Sequence, residues 1–164
     1  MTPDARRRLG ALTALAIGLF IGLALLPLPF TGPVGDVLGR SLWELLGAGA
    51  IGLPVLGVAL ALAGFERLGS LDMKRAALLL VGLSLLVPYL IGVLSRVTVS
   101  DLNANGVLAH AVGALPGLFA TAIPARIGIA GAVILGFLAL SALTLVTFAW
   151  HPLQRLERVG EGEE

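Results

Sequence analysis

The side chains in this sequence with the type or spacing for chemistry are few. They are His110 and His151, the triplet Asp36, Arg40 and Glu44, and a row of hydroxyls at Ser141, Thr144 and Thr147. An imidazole can ligate a metal, a haem or a chlorin pigment. Here the two histidines fall on opposite sides of the chain's apolar segments, so they cannot share one ion, and each reads as an interface residue. Asp36, Arg40 and Glu44 are spaced i, i+4 and i+8, which places them on one face of a helix, with Arg40 and Glu44 expected to pair at the surface. Hydroxyls spaced three apart on a helix ordinarily bond back to their own carbonyls, and the other reading is a polar seam to a neighbouring helix. There is no cysteine, hence no disulfide, thiol nucleophile or thiolate-held cluster. No G-x-x-x-x-G-K-[ST] phosphate loop occurs. No catalytic, cofactor-binding or metal-binding residue is expected, and the chain does not read as an enzyme.

The elements that must position these residues are set by composition. The chain has 164 residues, of which 57% are hydrophobic and only 13% charged, with a mean hydropathy of +0.99. A soluble domain carries about 25% charged residues and could not hide this much apolar surface in one core. A soluble or disordered protein is thereby excluded, and the class is an integral membrane protein. The net charge of +1 supplies no field for nucleic acid, and no direct nucleic-acid binding is expected. Arginine outnumbers lysine heavily, and alanine, glycine and leucine dominate, a bias that points to a GC-rich bacterial genome.

A membrane-spanning helix needs about 20 apolar residues. Four stretches qualify, at about 9–26, 47–64, 76–94 and 127–150, none with a charged side chain within its apolar run. The expected fold is all-α, with four transmembrane helices in residues 1–150 and a charged tail at 151–164, because a helix satisfies its own backbone in lipid. The first stretch reads as a retained span rather than a cleaved signal, since Pro27-Leu28-Pro29-Phe30 offers no small-x-small cleavage site. Pro54 and Pro88 are expected to kink the second and third spans.

Lysine and arginine set the orientation. Eight fall in the N-terminus, the middle loop and the tail, against three, Arg40, Arg96 and Arg126, on the other side. Both termini are therefore expected in the cytoplasm, with Trp150 and Trp43 as inner and outer interface anchors. In the first external loop, Thr31–Leu46 reads as an amphipathic helix on the membrane surface, with Gly47 the corner where the chain turns into the bilayer. The second external loop repeats the plan loosely. Turn material at Asp101–Gly106 leads into an apolar segment interrupted at Gly113, Pro116 and Pro124.

Small residues recur at helical spacing. Gly18 and Gly22 form a GxxxG pair, and Gly128, Ala132 and Gly136 form a second stripe. Both permit close helix contact, either inside this bundle or against another subunit.

The runs Gly32-Pro33-Val34-Gly35-Asp36-Val37-Leu38-Gly39, Leu45-Leu46-Gly47-Ala48-Gly49-Ala50 and Leu53-Pro54-Val55-Leu56 resemble the N-terminal membrane domain of FtsK-type bacterial DNA translocases. That resemblance spans roughly Arg6 to Trp150 and is clearest over Thr31–Gly64. It implies four spans with both ends inside, and a role as an anchor and assembly platform. Without a phosphate loop, ATP hydrolysis and DNA pumping do not carry over. The expected function is a non-enzymatic scaffold subunit of the bacterial inner membrane, contacting lipid and other membrane proteins or further copies of itself. The alternatives are the N-terminal piece of a full translocase acting in division and chromosome segregation, and an accessory subunit of a respiratory or photosynthetic complex. A transporter or channel fits least, because ionisable groups inside the membrane are the usual requirement.

Overall fold

A computed structural model describes residues 3–26, 31–64, 73–103 and 106–148. Its elements are helical throughout: α1 (Pro3–Leu25), α2 (Gly32–Leu46), a 3₁₀ turn (Gly47–Ile51), α3 (Gly52–Gly64), α4 (Met73–Leu94), α5 (Val99–Asn103), α6 (Val107–Val112) and α7 (Ala114–Phe148). Four segments are long and apolar enough to cross a membrane: Arg8–Leu25, Gly32–Ala63, Lys74–Leu94 and Ala114–Thr147. The chain is thus a multi-span membrane protein. The second and fourth segments are longer than one crossing because each joins a loop helix to a span. Those joints fall at Gly47 and at Gly128, where φ 75° and ψ 167° break α7 into two arms, 114–127 and 129–148.

The close contacts give the helix directions. Gly18 of α1 meets Gly57 of α3, and Gly22 meets Pro54, so α1 and α3 run antiparallel. Gly49 meets Ser84 and Pro88, and Gly52 meets Ser84 and Leu80, so α3 and α4 are antiparallel as well. Gly82 meets Leu143 and Gly136 meets Leu90, which sets the second arm of α7 antiparallel to α4. α1 and α4 therefore end on the same side, called here the loop face. There α2 crosses the end of α1, with Gly39 directly against the Ala24 carbonyl. The indole of Trp43 donates to the Leu25 carbonyl at 3.2 Å, one of the acceptors that a helix end leaves without an intrahelical partner.

Both span prolines lie within helices, at different positions. Pro54 sits in the first turn of α3, just after the 3₁₀ turn, where its missing N–H has no intrahelical partner to lose. Pro88 lies inside α4 and removes the bond to the Ser84 carbonyl. That carbonyl is the group against which Gly49 packs, so the side-chain-free backbone of the 3₁₀ turn closes over it. Pro116 and Pro124 do not interrupt α7 either; the second loop breaks at Gly113 and Gly128 instead.

The core lies between α4 and α7. Tyr89, Val93, Val97, Ala120 and Ala132 form it, flanked by Leu90, Leu102, Leu108, Ile123 and Val133. The Tyr89 hydroxyl is satisfied by the Ala132 carbonyl at 2.9 Å, as a buried phenol must be. α4 ends in a Schellman turn. Val97 N–H bonds Gly92 O at 2.9 Å and Arg96 N–H bonds Val93 O at 3.1 Å. Arg96 holds φ 52° where glycine is usual. The turn aims Val97 back into the core.

α5 is only five residues long and is fixed by a capping box. The Thr98 backbone N–H and hydroxyl donate to Asp101 Oδ2 at 2.9 and 2.7 Å, and Asp101 N–H returns a bond to Thr98 Oγ1 at 3.3 Å. The Thr98 hydroxyl, followed by its N–H, holds the exposed Asp101 carboxyl below its ordinary range. A depressed carboxylate pKa means that the folded state favours the charged form. The box is therefore fully formed above the ordinary aspartate value and is lost as pH falls through the depressed one. In a titration followed by carboxyl NMR, Thr98→Ala is expected to return Asp101 toward its ordinary pKa. Protection factors for amide exchange across α5 should then fall in acid in the parent chain and be independent of acid in Asp101→Asn.

Candidate functional site

Two loop helices that end alike define the site. Gly47 N–H bonds Trp43 O at the end of α2, and Gly113 N–H bonds Ala109 O at the end of α6. Both glycines have positive φ, 57° and 74°, with ψ at −138° and 163°. This corner of backbone space belongs essentially to glycine. The two residues also touch. A Cβ on Gly47 would lie 2.5 Å from the Val112 carbonyl carbon and 2.6 Å from Gly113 N. A Cβ on Gly113 would run into Gly47 N and lie 2.5 Å from the Leu46 carbonyl carbon. Leu46 and Gly47 thus exchange equivalent contacts with Val112 and Gly113, the reciprocity that a local two-fold relation produces. The corner expected at Gly47 is present, and Gly113 is its counterpart in the second half.

Glu44 and His110 stand three residues before these glycines, at corresponding positions. They open onto one cleft of about 350 Å³ between α2, α5, α6 and the first arm of α7. Asn103 and Thr121 add polar groups to it, and Leu102 and Leu118 add apolar wall. His110 Nδ1 lies 3.1 Å from the Gly106 carbonyl. Because a carbonyl only accepts, Nδ1 carries a proton and donates it to Gly106. The Thr121 hydroxyl donates to Gly117 O at 3.0 Å and to Leu118 O at 3.1 Å, which leaves its oxygen as an acceptor. A second cavity, of about 160 Å³, lies between α4 and the two arms of α7 and is walled by hydrocarbon, including Leu85, Phe119 and Ile123. It offers no group for chemistry beyond apolar packing.

The remaining residues singled out from sequence are placed as follows. Asp36 and Arg40 are exposed on α2 away from the cleft. Among the described residues no ion pair joins Arg40 to Glu44, which corrects the surface pair expected there: Glu44 faces the cleft residues instead. The side of α2 set against the protein is its glycine face, Gly35 and Gly39. Gly18 and Gly22 pack on α3, and Ala132 and Gly136 pack on α4, so both faces are used inside this chain. Gly128 does not belong to that stripe. It is exposed, with nothing within 4 Å of a built Cβ, and forms the break in α7. Thr144 and Thr147 bond back to Ser141 O and Leu143 O, each at 2.8 Å, so the row of hydroxyls is not an interhelical seam. His151, Trp150 and the tail lie outside the described residues.

Gly57 and Tyr89 have no part in the sequence-based expectations, and Gly113 enters them only as a loop break, not as a partner of Gly47. Gly57 and Ala61 form a small-xxx-small pair within the second span, a signal of the same kind as the two that were noted. No metal-sized group of three or more histidine, cysteine, aspartate or glutamate side chains occurs among the described residues. No family model, no curated protein and no solved structure matches this chain. The resemblance to the translocase membrane domain therefore gains no support beyond the shared count of four apolar helices.

Proposed function

We propose that this protein is a non-enzymatic scaffold subunit of the bacterial cytoplasmic membrane, with both termini cytoplasmic and the loop face outside. The observation that carries the reading is where the polar groups of the spans are spent. Thr13, Ser84, Thr144 and Thr147 bond their own helix carbonyls, and Tyr89 bonds α7. A path for ions or protons needs free polar or ionisable groups across the bilayer, and these groups are spent on backbone carbonyls of the bundle itself. The outward surface is large and apolar, with Leu19, Ile134, Leu138 and Leu145 all more than half exposed. Such a surface is suited to lipid and to the helices of other membrane proteins. The scaffold reading rests on these helices and does not depend on the translocase resemblance.

Reporter fusions and affinity capture test it together. Fusions after Glu164 and Asn105 are expected to report cytoplasmic and periplasmic locations respectively, following the eight-to-three charge bias. Capture of the full chain from solubilised membranes should recover another membrane protein, or a second copy, in fixed stoichiometry. Periplasmic activity at Glu164 overturns the orientation. A chain recovered only as a monomer, at any detergent level that keeps it folded, overturns the scaffold role.

A further inference from the structure

We propose that the loop-face cleft holding Glu44 and His110 binds a primary ammonium group carried on a small apolar body. The hydrogen-bond inventory of its walls decides the ligand class. Glu44 presents a carboxylate, Thr121 presents an oxygen whose proton is already given to the backbone, and the Nδ1–H of His110 is already given to the Gly106 carbonyl. Asn103 can act either way. No lysine or arginine lines the cleft. The site therefore joins a carboxylate to hydroxyl and amide acceptors, with no fixed cationic side chain to compete for them. Its complement is a cation with several N–H donors and no acceptor, which describes R–NH₃⁺. Val99, Leu102 and Leu118 supply a wall for the carbon portion of the ligand. A volume of about 350 Å³ is within the size of small-molecule pockets.

The fold builds this cleft from both halves of the chain. The Gly47–Gly113 contact locks the ends of α2 and α6 together, and those ends carry Glu44 and His110. A metal ion is the competing occupant, since an Nδ1–H anchored on a carbonyl also suits a metal-bound imidazole. One imidazole and one carboxylate fall short of the three or four protein ligands that zinc sites use. The cleft lies on the same side as the ends of α1 and α4, the end that the proposed topology sets at the outer headgroups. The ammonium can therefore come from an ethanolamine lipid or from a free amine, and both carry the same recognised group.

The test uses the full chain in micelles and in nanodiscs. Hexylammonium and hexyltrimethylammonium are titrated while calorimetry is followed, together with Trp43 fluorescence in a Trp150→Phe background. The primary amine is expected to bind about tenfold or more tightly than its quaternary analogue, which has no N–H. Glu44→Gln is expected to weaken hexylammonium by about tenfold or more, whereas Glu44→Asp retains most binding and Asp36→Asn, away from the cleft, leaves it unchanged. Nanodiscs separate the sources. Retention of phosphatidylethanolamine over phosphatidylcholine in native mass spectrometry, lost in Glu44→Gln, assigns the lipid headgroup; amine binding with no lipid preference assigns a free amine. Equal binding of the two amines overturns the proposal. So does unchanged binding in Glu44→Gln with helicity intact, or zinc binding that needs His110 while no amine binds.

Discussion

Gly18→Leu is expected to push α1 off α3 and to destabilise the isolated chain by about 3 kcal/mol or more, the upper end for overpacking a closed contact. The size follows from what the new atoms would meet. A Cβ at Gly18 lies 2.8 Å from Gly57 Cα and 3.3 Å from the Pro54 carbonyl oxygen, and one at Gly57 lies 2.5 Å from Gly18 Cα. Both neighbours are backbone, which cannot rotate aside as a side chain can. Gly22 is less confined, because its nearest neighbour is Pro54 Cβ at 3.3 Å. Gly22→Ala should therefore cost less than Gly18→Ala. The chain has no cysteine, so paired cysteines introduced on α1 and α3 give an unambiguous proximity readout. The variant is expected to insert, to lose α1–α3 crosslinking, and to unfold at lower denaturant. If Gly18→Leu keeps full monomer stability and crosslinking yet no longer self-associates or captures a partner, the face serves another subunit instead.

That experiment touches the boundary of what the sequence made legible. Hydropathy and span length placed four apolar helices, because burial in lipid depends on composition over about 20 residues and little else. The corner at Gly47 was readable from an amphipathic run ending in glycine. Which small residue faces which was not readable, since Gly18 at helical spacing says only that some backbone comes close. Its partner Gly57 is fixed by the antiparallel register of α1 and α3. The stripe of Gly128, Ala132 and Gly136 looked uniform for the same reason. The structure divides it, because Gly128 adopts a backbone that no helix contains, while Ala132 and Gly136 carry the contact with Tyr89 and Leu90. What a proline does to a span depends on its position within the helix. Pro54 and Pro116 fall in first turns, where a missing N–H removes no intrahelical bond. The meeting of Glu44 and His110 was the least legible feature, because it depends on a contact between two halves of the chain that share a plan but not a sequence.

Gly47→Ala and Gly113→Ala test that contact directly. Each is expected to destabilise the chain by about 3 kcal/mol or more, combining the strain of a glycine-only conformation, about 1–3 kcal/mol, with a clash against backbone. Gly128→Ala separates the two contributions. Its φ of 75° is equally restrictive, but the space around it is open, so it should carry the conformational penalty alone. Because Gly47 and Gly113 occupy one contact, their effects should not add. Once the first alanine has forced the ends of α2 and α6 apart, the second meets less resistance, and the double variant should fall short of the sum by about 1 kcal/mol or more. Reversible unfolding in mixed micelles measures the cycle. Additivity within about 0.5 kcal/mol would show that the two corners are not in contact. The same displacement moves Glu44 and His110 apart, since each lies three residues before its glycine. The single variants at Gly47 and Gly113 should therefore lose hexylammonium binding under conditions where they remain folded. Gly128→Ala, whose strain is comparable but whose site is remote from the cleft residues, should retain it.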